Sequence, residues 1–282
     1  MVRVGAGVLA VLLVVGIAAG IGLGIHGATY NGQVDEYSAG SPDTEDRVSV
    51  MAVIEKVDSA QYVMNVRVWA VAHGRFTSDG GETANRDIRV RSNAMTGDGL
   101  LLAAGRRVGA VSVPVEFDRG EIANYPLDRY SGDLYFSAVV DGQNVPVELT
   151  LENSDALFTL GATAHPDRFE PAFRVQERRS PSTLIMVGMM FVIMWALALA
   201  VAAAAAVVVR NRLGLVWPAL AWMAATLFAL AAFRGTAPGN PPIGTVLDLT
   251  AFLWAEAVVA CALVGVVIRG VSLEWAKPVQ PA

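Results

Sequence analysis

The chain has 282 residues, of which 54% are hydrophobic and only 17% charged, with a mean hydropathy of +0.47. A soluble domain carries about 25% charged residues, so a wholly soluble or disordered chain is excluded. The charge is also segregated: residues 29–181 hold 23 of the 26 acidic groups and 15 of the 21 Lys+Arg, a net of −8, while the remainder holds 3 acids and 6 bases. This predicts one water-facing domain joined to a membrane part. A net-negative domain argues against nucleic acid as a partner.

The first apolar run, Val4 to Ile25, has 22 residues and no charge. A helix crosses about 30 Å of hydrocarbon with roughly 20 apolar residues, so residues 1–28 read as a transmembrane helix. A cleaved signal peptide is the other reading, although its apolar core is usually about 7–15 residues. Gly16, Gly20 and Gly24 form a small-xxx-small stripe, which lets helix backbones approach closely in lipid.

Residues 29–47, rich in Gly, Ser, Asp and Glu, read as a linker. From Val48 the pattern alternates: Val48, Val50, Ala52, Ile54; Tyr62, Met64, Val66, Val68; Ile88, Val90; Val111, Val113, Val115; Leu134, Phe136, Ala138, Val140; and Val145, Val147, Leu149, Leu151. Period 2 with β-branched residues predicts strands with one buried face. Asp141-Gly142-Gln143-Asn144, between two such runs, reads as a hairpin turn. Residues 48–181 are therefore expected to fold as an extracytoplasmic, antiparallel β-sandwich. The one cysteine, Cys261, lies in an apolar run, so no disulfide forms within the chain.

Three further apolar runs predict helices over 182–210, 214–234 and 247–269, with a stiff outer loop over 235–246 and a tail over 270–282. Ala198, Ala202 and Ala206 form a weaker small-residue stripe in the first of these. The expected fold class is therefore membrane α-helical, with four transmembrane helices, plus the sandwich-like domain. Arg3, Arg210, Arg212, Arg269 and Lys277 all fit cytoplasmic termini and a periplasmic domain by the positive-inside rule. That places the chain in the plasma membrane as a multi-pass protein. Arg234 is the exception.

Catalytic motifs are sparse. The sequence has no G-x-S-x-G, phosphate loop, H-E-x-x-H or C-x-x-C. His26, His73 and His165 lie at no ligand spacing to one another, so no metal, cofactor or catalytic residue is assigned and a non-enzyme is expected. Asp128, Asp133, Glu116 and Asp118 sit near strand ends, where they read as turn caps or as acid–base candidates. Tyr125-Pro126-Leu127-Asp128-Arg129-Tyr130 is more distinctive. Pro126 fixes the backbone, Asp128 suits a turn, and Tyr125 and Tyr130 combine a ring with a polar tip. An ordered corner of the domain and a docking surface are both open.

The richest stretch runs from Arg234 through the last apolar run. Pro238, Pro241 and Pro242 stiffen the outer turn, and Gly239 and Gly244 permit angles that proline cannot take. Arg234 and Asp248 flank this turn and are expected to pair. Asp248 also lies in the first turn of its helix, where the macrodipole favours an anion. Glu256, with Trp254 beside it, lies about 13 Å into the span at 1.5 Å per residue. A carboxylate at that depth is costly and is normally paired, protonated or turned to a cavity. Three roles are open: bonding another span or a partner subunit, a long reach to Arg234, or handling a proton or substrate.

Arg234, Pro238, Gly239, Pro241, Pro242, Ile243, Gly244, Asp248, Phe252, Trp254 and Glu256, together with Tyr125, Pro126, Asp128 and Tyr130, give a pattern that resembles an actinobacterial family of four-span membrane proteins with a periplasmic β domain. Members resemble the accessory subunit of mycobacterial Mce lipid transporters. That resemblance implies a non-catalytic or stabilising role in the mycobacterial cell envelope. The partners it implies are integral transporter subunits, a permease and Mce proteins, with lipids as cargo. Gly16, Gly20, Gly24, Arg234, Pro238, Pro241, Pro242, Asp248, Trp254 and Glu256 are the expected partner or helix contacts. The alternatives are a membrane-anchored lipid- or wall-binding protein and a membrane enzyme acting on envelope lipids.

Overall fold

The computed structural model describes residue 22 and residues 36–78, 83–94, 99–165, 167 and 169–276. These form two compact units. One holds the described residues through Ile122 together with Leu127–Thr183; the other holds Ala123–Pro126 and the described residues from Leu184.

The first unit is a two-sheet β sandwich. Its strands are β1 (Tyr37–Gly40), β2 (Val48–Asp58), β3 (Val63–Ala72), β4 (Ile88–Ser92), β5 (Leu100–Leu102), β6 (Val111–Glu116), β7 (Arg119–Gly120), β8 (Arg129–Val140), β9 (Gln143–Val145), β10 (Val147–Asn153), β11 (Phe158–His165) and β12 (Ala172–Arg179). One sheet runs β1-β10-β2-β3-β6. The other runs β11-β12-β8-β4-β5, with β7 and β9 also paired to β8. The period-2 runs place Val50, Ile54, Val66 and Leu149 of the first sheet in one core with Ile88, Leu134, Phe136 and Phe173 of the second. Burial of that apolar surface is the main favourable term for a domain without disulfides.

Two features differ from the sequence expectation. Residues 37–40 lie inside the expected linker, yet they form β1, antiparallel to β10. Four residues with one apolar alternation give too short a signal to read. The expected antiparallel sandwich also contains a parallel pair, β10 with β2, in the register Val147 to Val48. The hairpin at Asp141-Gly142 does form, with φ of +48° and +80°, and it returns β9 onto β8. Pro146 then interrupts the ladder, since it has no N–H to donate. Its carbonyl instead accepts from Val48 N at 2.9 Å, where the chain passes into the other sheet.

The second unit holds three helices long and apolar enough to cross a membrane. They are α1 (Pro181–Arg210), α2 (Trp217–Arg234) and α3 (Leu253–Trp275), and a π-helical turn, Asp248–Phe252, leads into α3. Each buries one stripe at 3- and 4-residue spacing. On α1 it is Val187, Met190, Met194, Ala198, Val201 and Ala205. It therefore leaves the Ala198–Ala202–Ala206 line expected from sequence, and Ala206 is exposed. Large apolar side chains such as Leu199, Phe228 and Ile268 face outward, as surfaces against lipid do.

The expected fourth span, with Gly16, Gly20 and Gly24, lies outside the described residues. Two boundaries also move. α2 starts at Trp217 rather than at 214, with Pro218 in its first turn, where its missing N–H is harmless. α3 runs to Trp275 rather than to 269, because no helix breaker intervenes before Pro278.

Candidate functional site

The expected ion pair between Arg234 and Asp248 forms and is the polar centre of the helical unit. Arg234 Nε donates to Asp248 Oδ1 at 2.7 Å and Nη2 donates to Oδ2 at 2.8 Å. The side chains are 8% and 0% exposed. Asp248 Oδ2 also accepts from Gly244 N at 2.8 Å, and from Thr245 N and Thr245 Oγ1, both at 3.0 Å. An acidic side chain bonding back to a Thr N–H three residues earlier is half of a capping box. Two further guanidinium donors are taken by the loop between the helices: Nη1 donates to Pro241 O and Nη2 to Pro242 O, both at 2.8 Å. Arg234 is thus neutralised, with four of its five N–H donors bonded.

The prolines work through their carbonyls. Tyr125, fully buried, donates its hydroxyl to Pro238 O at 3.0 Å. The loop reverses with φ of +76° at Gly239, +47° at Asn240 and +106° at Gly244, the left-handed region the glycines were expected to supply. Tyr125 packs in the apolar cluster of the helical unit with Leu247 and Phe252. Its peptide bond to Pro126 is cis.

The π-helical turn was not legible in the sequence. A wide turn leaves carbonyls off the regular ladder, and in lipid each needs a donor. Trp254 Nε1 donates to Leu249 O at 2.8 Å, and Trp195 Nε1 donates to Thr250 O at 3.2 Å. The ring of Trp254 itself is 59% exposed.

Glu256 lies two residues beyond Trp254 and is half-buried. Among the described residues its carboxylate has no hydrogen-bond or ion-pair partner. The long reach to Arg234 is not made; Arg234 is committed to Asp248, Pro241 and Pro242.

The sequence corner at residues 125–130 divides between the units. Asp128 and Tyr130 belong to the β unit, where Asp128 is bound by an arginine the sequence reading overlooked. Arg179 Nε reaches Asp128 Oδ1 at 3.0 Å and Oδ2 at 3.1 Å, while Nη2 reaches Oδ2 at 2.9 Å. Nη2 also donates to Ser59 Oγ at 2.9 Å, and the guanidinium lies 4.2 Å from the centroid of the Phe158 ring. Tyr130 donates its hydroxyl to Asp128 Oδ2 at 2.8 Å and packs edge-on against Tyr62 and Phe158. Burial and then the Asp128 carboxylate push the Tyr130 hydroxyl far above the usual phenol range. It is an uncharged donor at any physiological pH. Asp133 and Asp118, by contrast, are exposed partners of Arg174. Among the described residues no cluster of three His, Cys, Asp or Glu is placed to hold a metal ion.

Compared with known families, residues 38–176 match a model described as a domain of unknown function (DUF4436). Residues 179–272 match a second, also described as a domain of unknown function (DUF8686). No curated protein matches the chain. The boundary between the two matches falls at 176–179, at the end of β12 and just ahead of α1, so both the sandwich and the helical unit are similar to separately recognised domains.

Proposed function

We propose that this chain is a non-catalytic accessory subunit of a cell-envelope transport complex, of the Mce lipid-importer kind, held beside the permease by its transmembrane helices. The carrying observation is Glu256. It is half-buried and has no partner among the described residues, and eight residues on from Asp248 it stands about 12 Å along its apolar helix. An unpaired carboxylate in hydrocarbon is too costly to leave open, so a donor from another helix, of this chain or of a partner, completes it. The polar groups at the start of its helix are already used: Arg234, Asp248 and Thr245 form one hydrogen-bonded network, and the Trp195 and Trp254 indoles donate to Thr250 O and Leu249 O. That network holds the start of α3 rigid and presents Glu256 from a fixed frame, which suits docking.

In this reading the domain 36–180 is periplasmic and the α1–α2 turn, with Arg210 and Arg212, is cytoplasmic. Affinity purification of the tagged chain from its native membranes in mild detergent, with mass spectrometry of everything retained, tests the proposal. A stoichiometric set of permease, ATPase and Mce-type subunits is the expected result. Recovery of the chain alone in several detergents would overturn it.

A further inference from the structure

The β unit is acidic overall, yet one end of its second sheet gathers arginines. A cleft of about 660 Å³ on this sheet is lined by Arg119 of β7, Arg129 and Ser131 of β8, and Arg174, Gln176 and Arg178 of β12, with Tyr130, Leu160 and Glu177 bordering it from the core side. The register brings them together. Arg129 lies directly opposite Arg178, and Ser131 lies opposite both Gln176 and Arg119. Successive strand residues point to opposite faces. Tyr130 and Glu177, the alternate residues, accordingly turn to the core face and are 2% and 1% exposed. Arg174 is neutralised, donating to Asp118 and Asp133 at 2.9 Å each. Among the described residues the side chains of Arg119, Arg129 and Arg178 make no ion pair or hydrogen bond. Four arginines against Asp118, Asp133 and the buried Glu177 leave the cleft with a formal net charge of +1.

Like charges directly opposite on antiparallel strands are destabilising. Arg129 against Arg178 is such a pair, and an anion between them would convert repulsion into two charge-assisted contacts. Guanidinium groups present planar forks that match phosphate oxygens in bidentate fashion, and Ser131 and Gln176 supply neutral polar groups on the same floor. Arg178 precedes Pro181, where the apolar helix α1 begins, by three residues. Chain length alone keeps it within about 10 Å of that helix. We propose that this cleft binds a phosphate group, with Arg129 and Arg178 gripping its oxygens from adjacent strands and Arg119 closing the third side. The site stands apart from the accessory-subunit reading and does not depend on it.

The full chain in nonionic detergent, titrated calorimetrically with dioctanoyl phosphatidylglycerol and separately with inorganic phosphate, tests this. Binding of the lipid alone identifies a lipid headgroup as the source; binding of both identifies a site for the free ion as well. Either supports the proposal if R129Q/R178Q weakens the binding by roughly tenfold or more while R91Q, on the exposed face of β4, leaves it unchanged. The anion-free double variant is also expected to unfold at or above the temperature of the natural chain, because a repulsion has been removed. Absence of binding by both probes, or equal weakening by R91Q, would overturn the proposal. A double variant that unfolds well below the natural chain would mean that the arginines serve the fold, and would overturn it too.

Discussion

The two units each bury one arginine against one aspartate, and the pairs are built differently. Arg179 and Asp128 are 51 residues apart, joined across the second sheet of the sandwich. Arg234 and Asp248 are 14 apart, joined across a single loop. Among the described residues Asp128 has one further donor, the Tyr130 hydroxyl. Asp248 has three, from Gly244 and Thr245. In the sandwich the pair ties distant strands and depends on the tertiary fold. In the helical unit it is local, and the loop backbone already solvates the carboxylate. Removing the arginine should therefore hurt the two units unequally.

The largest effect is expected for Arg179→Met. It strands a buried carboxylate with one donor, and breaking such a pair costs about 3–5 kcal/mol. Chemical unfolding of the purified chain, followed by the sheet signal in circular dichroism, should show that loss. Adding Asp128→Leu should recover much of it, since a well-packed apolar pair replaces a buried ion pair at little cost.

Arg234→Met should cost less, about 2–3 kcal/mol, because three donors stay on Asp248. Its expected signature is release of the Pro241 and Pro242 carbonyls, read as faster proteolysis within residues 238–246. Equal losses for the two variants would break the comparison.

A smaller effect is expected at the half-exposed group of Arg47, Glu148 and His73. Burial raises the Glu148 carboxyl, but the hydrogen bonds from Ser49 and Arg47 outweigh it, so the group titrates below its ordinary value. A lowered carboxylate stabilises the fold above its unfolded pKa and loses that contribution as pH falls through the folded one. Burial, then Arg47, also lowers His73, so the native state takes up its proton later than the unfolded chain does. This too weakens the fold on acidification. Glu148→Gln should therefore flatten the decline in unfolding temperature below about pH 5, with little change near neutrality. An undiminished acid slope would exclude Glu148 as its source.

How much was legible follows the same division. Alternation in Val48–Ile54 and Leu134–Val140 revealed strands because burial on one face repeats every second residue. The Arg234–Asp248 pair was legible because one loop joins its members. Arg179 was missed because its partner is set by which strands lie together, and pattern alone does not report that. β1 was missed because four residues carry too little periodicity, and the β10–β2 parallel pair because Pro146 redirects the chain after a readable hairpin. The π-helical turn leaves no compositional mark beyond two tryptophans that also suit a membrane interface.

The most direct test of the central claim is a quantitative comparison of subunits retained by the natural chain and by Glu256→Leu, purified side by side from native membranes. Unfolding of the β unit is monitored in both. The account predicts that Glu256→Leu loses transporter subunits while the β unit unfolds at an unchanged temperature. Retention of the same subunits at the same stoichiometry would contradict it.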